Sequence, residues 1–580
     1  MRTVRKIRRR EAGLVGEWPT STPALLQRLH AARGAINIEQ AQPRLAQLLS
    51  PDTLGGLDAA TALLVDAIAA NRHIVVVGDF DCDGATACAV GVRGLRMLGA
   101  RNVSHAVPNR IVHGYGLSPG LVDDLAALQP ELLVTVDHGI ACHAGVAAAK
   151  ARGWQVLVTD HHLPGTALPP ADAIVDPNLP GDAFPSKMLA GVGVMFYVLL
   201  ALRRRLREAG HFSNADSPDD EPDLLVLLDL VAVGTVADLV PLDTNNRALV
   251  AAGLRRLRTG QGCAGLRALI EIAGRDPRTL TTSDIGFAIA PRINAAGRLE
   301  DMALGIECLL SDDDSHARDI AATLNEINGE RRAVQQQMVE EADAAVARIV
   351  LDGELPPVLC LFDCDWHPGV VGLVASKLKE RLHRPVFAFA PAEPGSEALR
   401  GSARSIPGLH IRDLLAAVDV TQPGLIAKFG GHAMAAGLSL ALDALPRFQI
   451  ALDEQARRLL DPALLQAEVV SDGELQADEF NHAAAVALRD GGPWGQGYPE
   501  PLFDGAFDVL DWRVVGERHL KLELALMQSG HTGRRLNAIE FGGWSGEPPP
   551  ARIRIAFRLE PDQYRGGDAI QLVVVHREPL

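Results

Sequence analysis

Short uninterrupted apolar runs recur between residues 74 and 175. Ile74-Val-Val-Val77, Leu132-Leu-Val-Thr-Val136, Val156-Leu-Val-Thr159 and Ala173-Ile-Val175 lack the in–out alternation of a half-buried strand. Such runs describe strands covered on both faces, and the Ala/Leu-rich stretches between them read as helices. From His73 to about Asp176 the pattern therefore predicts an open parallel α/β sheet.

Beyond that block the period changes. Asp223–Thr235 reads as helical, and Gly286–Arg298 as a helix broken at Pro291. Ala317 to Val350 holds no proline, and Ile320, Leu324, Ile327, Val334, Met338, Ala345 and Ile349 follow mostly in steps of three and four. A helix of that length spans roughly 50 Å and can bridge two domains, with a kink expected at Asn328-Gly329 and Arg331. A second α/β block runs from about Pro356 to Leu460 around the glycine-rich Phe429–Gly437. After about residue 466, Leu520, Leu522, Leu524 and Leu526, then Ile553, Ile555, Phe557 and Leu559, alternate with polar residues. That period of two predicts a small β-barrel or sandwich. The expected division is an N-terminal extension (1–60), a parallel-sheet domain (61–315), a connecting helix (316–350), a smaller α/β domain (351–460) and an all-β domain (461–580).

Composition narrows the class. At 580 residues, 47% of them apolar, the chain is too long for one core and too apolar for broad disorder. Its apolar runs fall far short of a membrane span, so a soluble protein without a membrane partner is expected. The basic start, Met1 to Arg10, has no apolar segment behind it and reads as a solvated tail rather than a secretory signal. Seven cysteines without a Cys-x-x-Cys pair fit a reducing cytoplasm, with Cys360 and Cys364 read as core thiols. The net charge of −16 has the wrong sign for holding nucleic acid by a global field. A phosphate-bearing partner must be held by local basic features or by metal.

The candidate chemistry sits where the apolar runs end. Strand 74–77 leads to Asp79, Asp81 and Asp83, strand 132–136 to Asp137 and His138, and strand 156–159 to Asp160, His161 and His162. In open parallel sheets, ligands bind beyond the carboxyl ends of the strands, so these groups should converge on one rim. Each aspartate taken singly is equally a helix cap or turn former. The set as a whole suits Mn²⁺ or Mg²⁺ and is larger than one ion needs. A two-metal centre, able to activate water and to hold both sides of a phosphoryl transfer, is the natural hypothesis.

Asp79–Gly84, Val107–Arg110 with Gly114–Ser118, Thr135–Asp137, Asp160–His162 and Leu189–Gly193 resemble the DHH phosphoesterases. Gly234–Asp238, Pro291–Arg298, Trp366–Gly372, Gly401–Ser405 and Gly430–His432 follow in the order of the RecJ type within them. The tripeptides are weak signals singly, but the ordered set covers roughly residues 60–580. The resemblance implies a DHH domain, a DHHA1-type domain and a C-terminal OB fold. It also implies single-stranded-DNA-specific 5′→3′ exonuclease activity in recombination and repair, with single-strand-binding protein and a helicase as partners.

Carried over by motif, the metal ligands are Asp79, Asp81, Asp83, Asp137, His161 and Asp238. Asp81 and Asp83 would serve different ions and Asp137 would bridge, while Asp79 is either a ligand or one step outside. Asp160 orients an imidazole, and His162 is either a ligand or a phosphate contact. Catalytic roles fall to Asp137, His161, His162 and His432. Arg110, Arg298, Ser402 and Arg404 would hold substrate, including a terminal 5′-phosphate. Gly430 and Gly431 would let a strand approach closely beneath His432. Arg110 is otherwise a surface arginine, and the glycines otherwise a plain turn. Cys82 and His138 depart from the family pattern without removing a ligand. Arg552, Arg554 and Arg558 share a strand face that either tracks DNA or is simply solvated. Two other classes stand beside this one: a DHH hydrolase of short oligonucleotides, cyclic dinucleotides or polyphosphate, and a non-catalytic scaffold of the same fold. The β-rich tail argues against the first and the intact ligand set against the second.

Overall fold

In the computed structural model, which describes residues 5–14, 16–110, 112–212, 221–351, 355–527 and 535–580, the four apolar runs become parallel strands. These are Ile74–Val77, Leu132–Val136, Gln155–Thr159 and Ala173–Val175. Ile74 and Val76 enter one core with the helices Cys82–Met97 and Gly191–Glu208. Val75 and Val77 enter a second core with Leu121 and Val146 on the opposite face. Burial on both sides is why the runs show no alternation. A further strand, Val103–Ala106, pairs with Ile74–Val77 at the edge. Its polar Ser104 and His105 hide it from a search for apolar runs. Counted within this sheet, the spatial order is 2-1-3-4-5. The connections therefore reverse between strands 74–77 and 132–136, and a crevice opens there.

The expected break at Pro291 is not a break. Thr282–Asp284, a π turn at Ile285–Ile289 and Ala290–Leu299 run on as one helix. The wider π turn makes room for a ring that would otherwise press on the carbonyl four residues back. The long helix Asp314–Leu351 likewise passes Asn328-Gly329 uninterrupted for 38 residues, about 57 Å at 1.5 Å per residue. Buried Asn328 accepts a hydrogen bond from Arg331 at 2.9 Å instead of kinking the chain. The second half of this helix buries Met338, Ala342 and Val346 against Leu359, Trp366 and Val374 of the smaller α/β domain. Trp366 Nε1 donates to Glu341 at 2.9 Å across that seam.

The smaller domain is built on a five-stranded mixed sheet ordered Lys428–Gly431, Ala435–Ala441, Ala398–Arg404, Val386–Pro391, Leu359–Phe362. The alternating tail closes into a five-stranded barrel of Phe503–Val515, His519–Leu526, Arg535–Glu540, Ile570–Pro579 and Arg552–Pro561. Strand order 1-2-3-5-4 with full closure is OB-like and leaves the barrel no open edge.

Three surface expectations are corrected. The basic start is not a solvated tail: Arg5–Arg9 form a strand parallel to Ala467–Ser471, while residues 1–4 lie outside the described ones. It is basic because its partners are acidic: Arg9 meets the buried Asp504 carboxylate at 3.0 Å and Arg10 meets Asp472 at 3.1 Å. Arg552, Arg554 and Arg558 are not simply solvated, because each has an acidic neighbour. Arg554 shares Asp504 at 2.6 Å, Arg552 meets Asp508 at 3.1 Å, and Arg558 pairs with Glu500 and Glu560. Cys364 is exposed rather than in a core. The segment after the first strand also packs on the barrel module. Leu25, Leu26 and Leu29 bury against Leu475, Phe480 and Leu488, and His30 Nδ1 lies 2.7 Å from the Tyr498 hydroxyl. No described helix is long and apolar enough to cross a membrane.

Candidate metal centre

The crevice at the strand reversal gathers the carboxylates. Asp81 caps the helix Cys82–Met97 by accepting the Gly84 N–H at 3.0 Å. The tight turn brings Gly84 so near that a Cβ there would lie 2.4 Å from the Asp79 nitrogen. Asp83, in the first turn, accepts the N–H groups of Gly191 at 2.6 Å and Val192 at 3.0 Å, the open end of the helix Gly191–Glu208. Asp137 follows its strand with φ +65, a left-handed conformation that aspartate tolerates better than most residues. Gly191 and Gly234 are required by crowding: a Cβ on the first would meet Asp137 Cβ at 2.5 Å, and on the second Asp83 Oδ1 at 2.8 Å. Asp238 closes the helix Leu228–Ala237. His161 Nε2 lies 3.1 Å from Asp137 Oδ1 and 3.5 Å from Asp238 Oδ2.

At this rim three groups bring their ligand atoms within 4.8 Å of one another: Asp79, Asp81 and Asp137; Asp83, His161 and Asp238; and Asp137, His161 and His162; a fourth such group, Asp363, Cys364 and Asp365, lies outside it. Asp137 and His161 recur, so the groups are facets of one cluster. Asp79 Oδ1, Asp137 Oδ1 and His161 Nε2 are buried without a hydrogen-bond partner. Burial, with mutual repulsion among the acids, pushes the Asp79, Asp137 and Asp238 carboxyls well up and Asp83 to about 7. Orphaned oxygen and imidazole atoms in a crowd of carboxylates are what hard divalent cations satisfy, so the residues present fit such ions.

The two adjacent imidazoles are driven apart. Burial holds His161 neutral, down to about 4, which leaves its Nε2 lone pair available. Asp160 accepts the Nδ1–H of His162 at 2.7 Å and the N–H groups of Ile140, His161 and His162. Although burial opposes it, that bond raises His162 to about 9, a cation at neutral pH. His138 is buried with Nε2 3.0 Å from the Val77 carbonyl, and it belongs to none of the three groups.

The other expected site residues arrive from four further segments. The Arg110 guanidinium lies 4.0 Å over the Phe80 ring. Arg404 donates to Ser402 Oγ at 2.9 Å and to Ser376 Oγ at 3.1 Å. Arg298 donates to the Gly369 carbonyl at 3.2 Å, and burial beside Arg110, Arg404 and Arg331 pulls it down to about 9. Gly430 faces Gly437 in register, and a Cβ on either would meet nothing within 4 Å, leaving a bare floor. Gly431, at φ +140, needs its missing side chain for the turn that carries His432. The His432 ring stands 5.9 Å from that of His162.

Three contributors escaped the sequence reading. The Tyr115 hydroxyl lies 3.4 Å from both His162 Nε2 and the Asp137 carbonyl. Asn294 Oδ1 accepts the Cys82 N–H at 2.8 Å and so braces the Asp81–Asp83 turn. Arg331 joins the arginine cluster from the long helix. Tyr115 and Asn294 sit inside motifs already singled out. The signal for Arg331 was the polar interruption of an apolar helix face.

Comparison with known proteins agrees with this architecture. Residues 73–235 match the DHH family N-terminal domain, residues 355–458 the DHHA1 domain and residues 471–576 the RecJ OB domain. The chain is 48% identical over 584 residues to the single-stranded-DNA-specific exonuclease RecJ of Salmonella typhimurium, covering 100% of each. It is 46% identical over 579 residues to that of Escherichia coli, covering 99% of each. The crystal structure of RecJ in complex with Mn²⁺ from Thermus thermophilus superposes with a TM-score of 0.77 at 31% identity, over 97% of this chain and 80% of that one. The chain belongs to the RecJ family of single-stranded-DNA-specific exonucleases, within the DHH phosphoesterases.

Proposed function

We propose that the chain is a metal-dependent exonuclease that removes 5′-mononucleotides from the 5′ end of single-stranded DNA. The observation that carries the reading is the single cluster of Asp79, Asp81, Asp83, Asp137, His161 and Asp238, bordered by Arg110, Arg298 and Arg404, which form no ion pair with a carboxylate within 4.0 Å among the described residues. Mn²⁺ or Mg²⁺, two ions for this many ligands, would be held by those six residues and would supply a lowered water pKa and charge neutralisation at the scissile phosphate. Asp137, common to two of the ligand groups, would help hold metal in both.

The remaining steps belong to the chain's own groups. Arg110, Arg298, Ser402 and Arg404 hold the terminal 5′-phosphate by charge-assisted hydrogen bonds, which sets the register of cleavage. Asp160 fixes the His162 ring, whose Nε2–H faces a phosphoryl oxygen and stabilises the charge that develops there. His432 approaches the same phosphate from the other domain, above the bare floor at Gly430 and Gly431. Water oxygen bonds to phosphorus, the P–O3′ bond breaks, and the 3′-oxygen takes up a proton. The close approach of His162 and His432 leaves little width between the domains, which supports a single strand over a duplex. Recombination and repair work, with single-strand-binding protein and a helicase as partners, is the cellular role this reading proposes.

The test is digestion of end-labelled single and double strands with Mn²⁺ or Mg²⁺. Mononucleotides released from the 5′ end of single strands alone are expected. Release from 3′ ends would overturn the polarity, and metal-independent digestion the mechanism.

A further inference from the structure

The helix Thr282–Leu299 touches every part of the proposed substrate path. Arg298 lies in the arginine cluster, and Asn294 braces the Asp81–Asp83 turn. At the other end, the Thr282 hydroxyl donates to the Trp494 carbonyl, where the barrel module joins the sheet domain. This helix thus runs about 25 Å from the arginine end of the centre to the base of the barrel module.

Partway along it, the π turn lifts Phe287 to 84% exposure. The neighbouring Gly286 lies against Val236, where an added Cβ would sit 3.9 Å from Val236 Cγ1. The chain after Val236 reaches Asp238 and then Leu239, whose N–H points to the Val236 carbonyl at 3.4 Å. Leu239 has φ +60 and is 69% exposed. A lone exposed apolar side chain needs no explanation. Here an aromatic on a π turn and a leucine in the left-handed region flank the contact of Gly286 with Val236, and the leucine stands one residue from a candidate ligand. Both conformations are uncommon and concentrate at functional sites.

The geometry points to Leu239 and Phe287 as an apolar platform for the bases of a single strand on the 3′ side of the scissile phosphate. The inference rests on the 5′→3′ reading above. Arg110 lies over the ring of Phe80, between Asp79 and Asp81 in the chain, whereas Leu239 follows Asp238, which groups with Asp83 and His161. A strand with its 5′ end at Arg110 therefore crosses the carboxylates and leaves past Asp238 toward the barrel. Every base has a π face, so stacking on Phe287 grips any sequence, as a non-specific exonuclease requires. Arg292, further along the helix, bonds Asn325 and the Ala288 carbonyl, and no carboxylate among the described residues pairs with it.

Steady-state kinetics of Phe287→Ala on 5′-phosphorylated single strands tests the platform. KM is expected to rise roughly tenfold or more, the loss of one base–aromatic stack, with single-turnover cleavage at saturation unchanged. Phe287→Trp should restore KM. A photoreactive phenylalanine analogue at position 287 should crosslink to a nucleotide 3′ of the scissile bond. Unchanged KM in Phe287→Ala, or no crosslink, overturns the platform and leaves the polarity standing. Crosslinks confined to the 5′ side, with release from 3′ ends, overturn the polarity reading instead.

Discussion

His162 and His432 meet with ring centroids 5.9 Å apart, although 270 residues separate them in the chain. One follows a strand of the parallel sheet and the other rides a glycine turn of the smaller domain. The cleft between them is therefore a junction, and its width depends on how the long helix spaces the two domains. His432→Ala should lower kcat about 100-fold, the usual loss when one positioned polar group at a reacting phosphate is removed. The thermal midpoint should stay unchanged because the ring is half-exposed. Steady-state rates beside a melting curve decide it, and a wild-type kcat would remove His432 from the reaction.

The crowded acids make the metal-free protein work against itself. Asp137→Asn relieves one repulsion and keeps a side chain suited to φ +65, so in EDTA its melting temperature should rise by roughly 2–4 °C. Saturating Mn²⁺ at about 100 times Kd should stabilise the wild type by about 2.7 kcal/mol and the variant by clearly less. The variant should also lose nuclease activity. A variant that melts lower without metal would show that the Asp137 carboxylate is needed by the fold itself.

The arginine cluster should read the 5′ end. Hydrogen bonds to charged groups contribute about 1.5–3 kcal/mol, so Arg404→Ala should lower kcat/KM on 5′-phosphorylated strands roughly 10- to 150-fold. Strands ending in a 5′-hydroxyl should be affected far less. Equal losses on both substrates would place Arg404 elsewhere in the mechanism.

The N-terminal attachment should be acid-labile. Burial between Trp18 and Trp494 pulls His30 down to about 4 from its ordinary 6.5. Between those values the unfolded chain binds more protons than the folded one, so stability is full above 6.5 and falls as pH drops toward 4. The loss is up to about 3 kcal/mol. His30→Phe should flatten that part of the profile in melts taken from pH 7 to pH 4, and an unchanged slope would assign the effect to another group.

What could be read from residue order alone was local. The runs at 74–77, 132–136, 156–159 and 173–175 declare buried strands because each residue's neighbours reveal that both faces are apolar. The carboxylates and imidazoles follow directly on those strands, so a parallel sheet necessarily carries them to one rim. Partnership across long separations was not legible. Whether Arg552, Arg554 and Arg558 face DNA or acids depends on Asp508, Asp504 and Glu500 folding alongside them. Whether a basic N-terminus is solvated depends on Ala467–Ser471 offering it an edge. Pro291 announces a defect, but only packing against neighbouring helices makes a π turn cheaper than a break. The sequence by itself determined the strands and the carboxylates and imidazoles that gather at their ends. Tertiary structure alone decided which charges are neutralised and which remain for a substrate, because a charge's partner is set by through-space distance rather than by position in the chain.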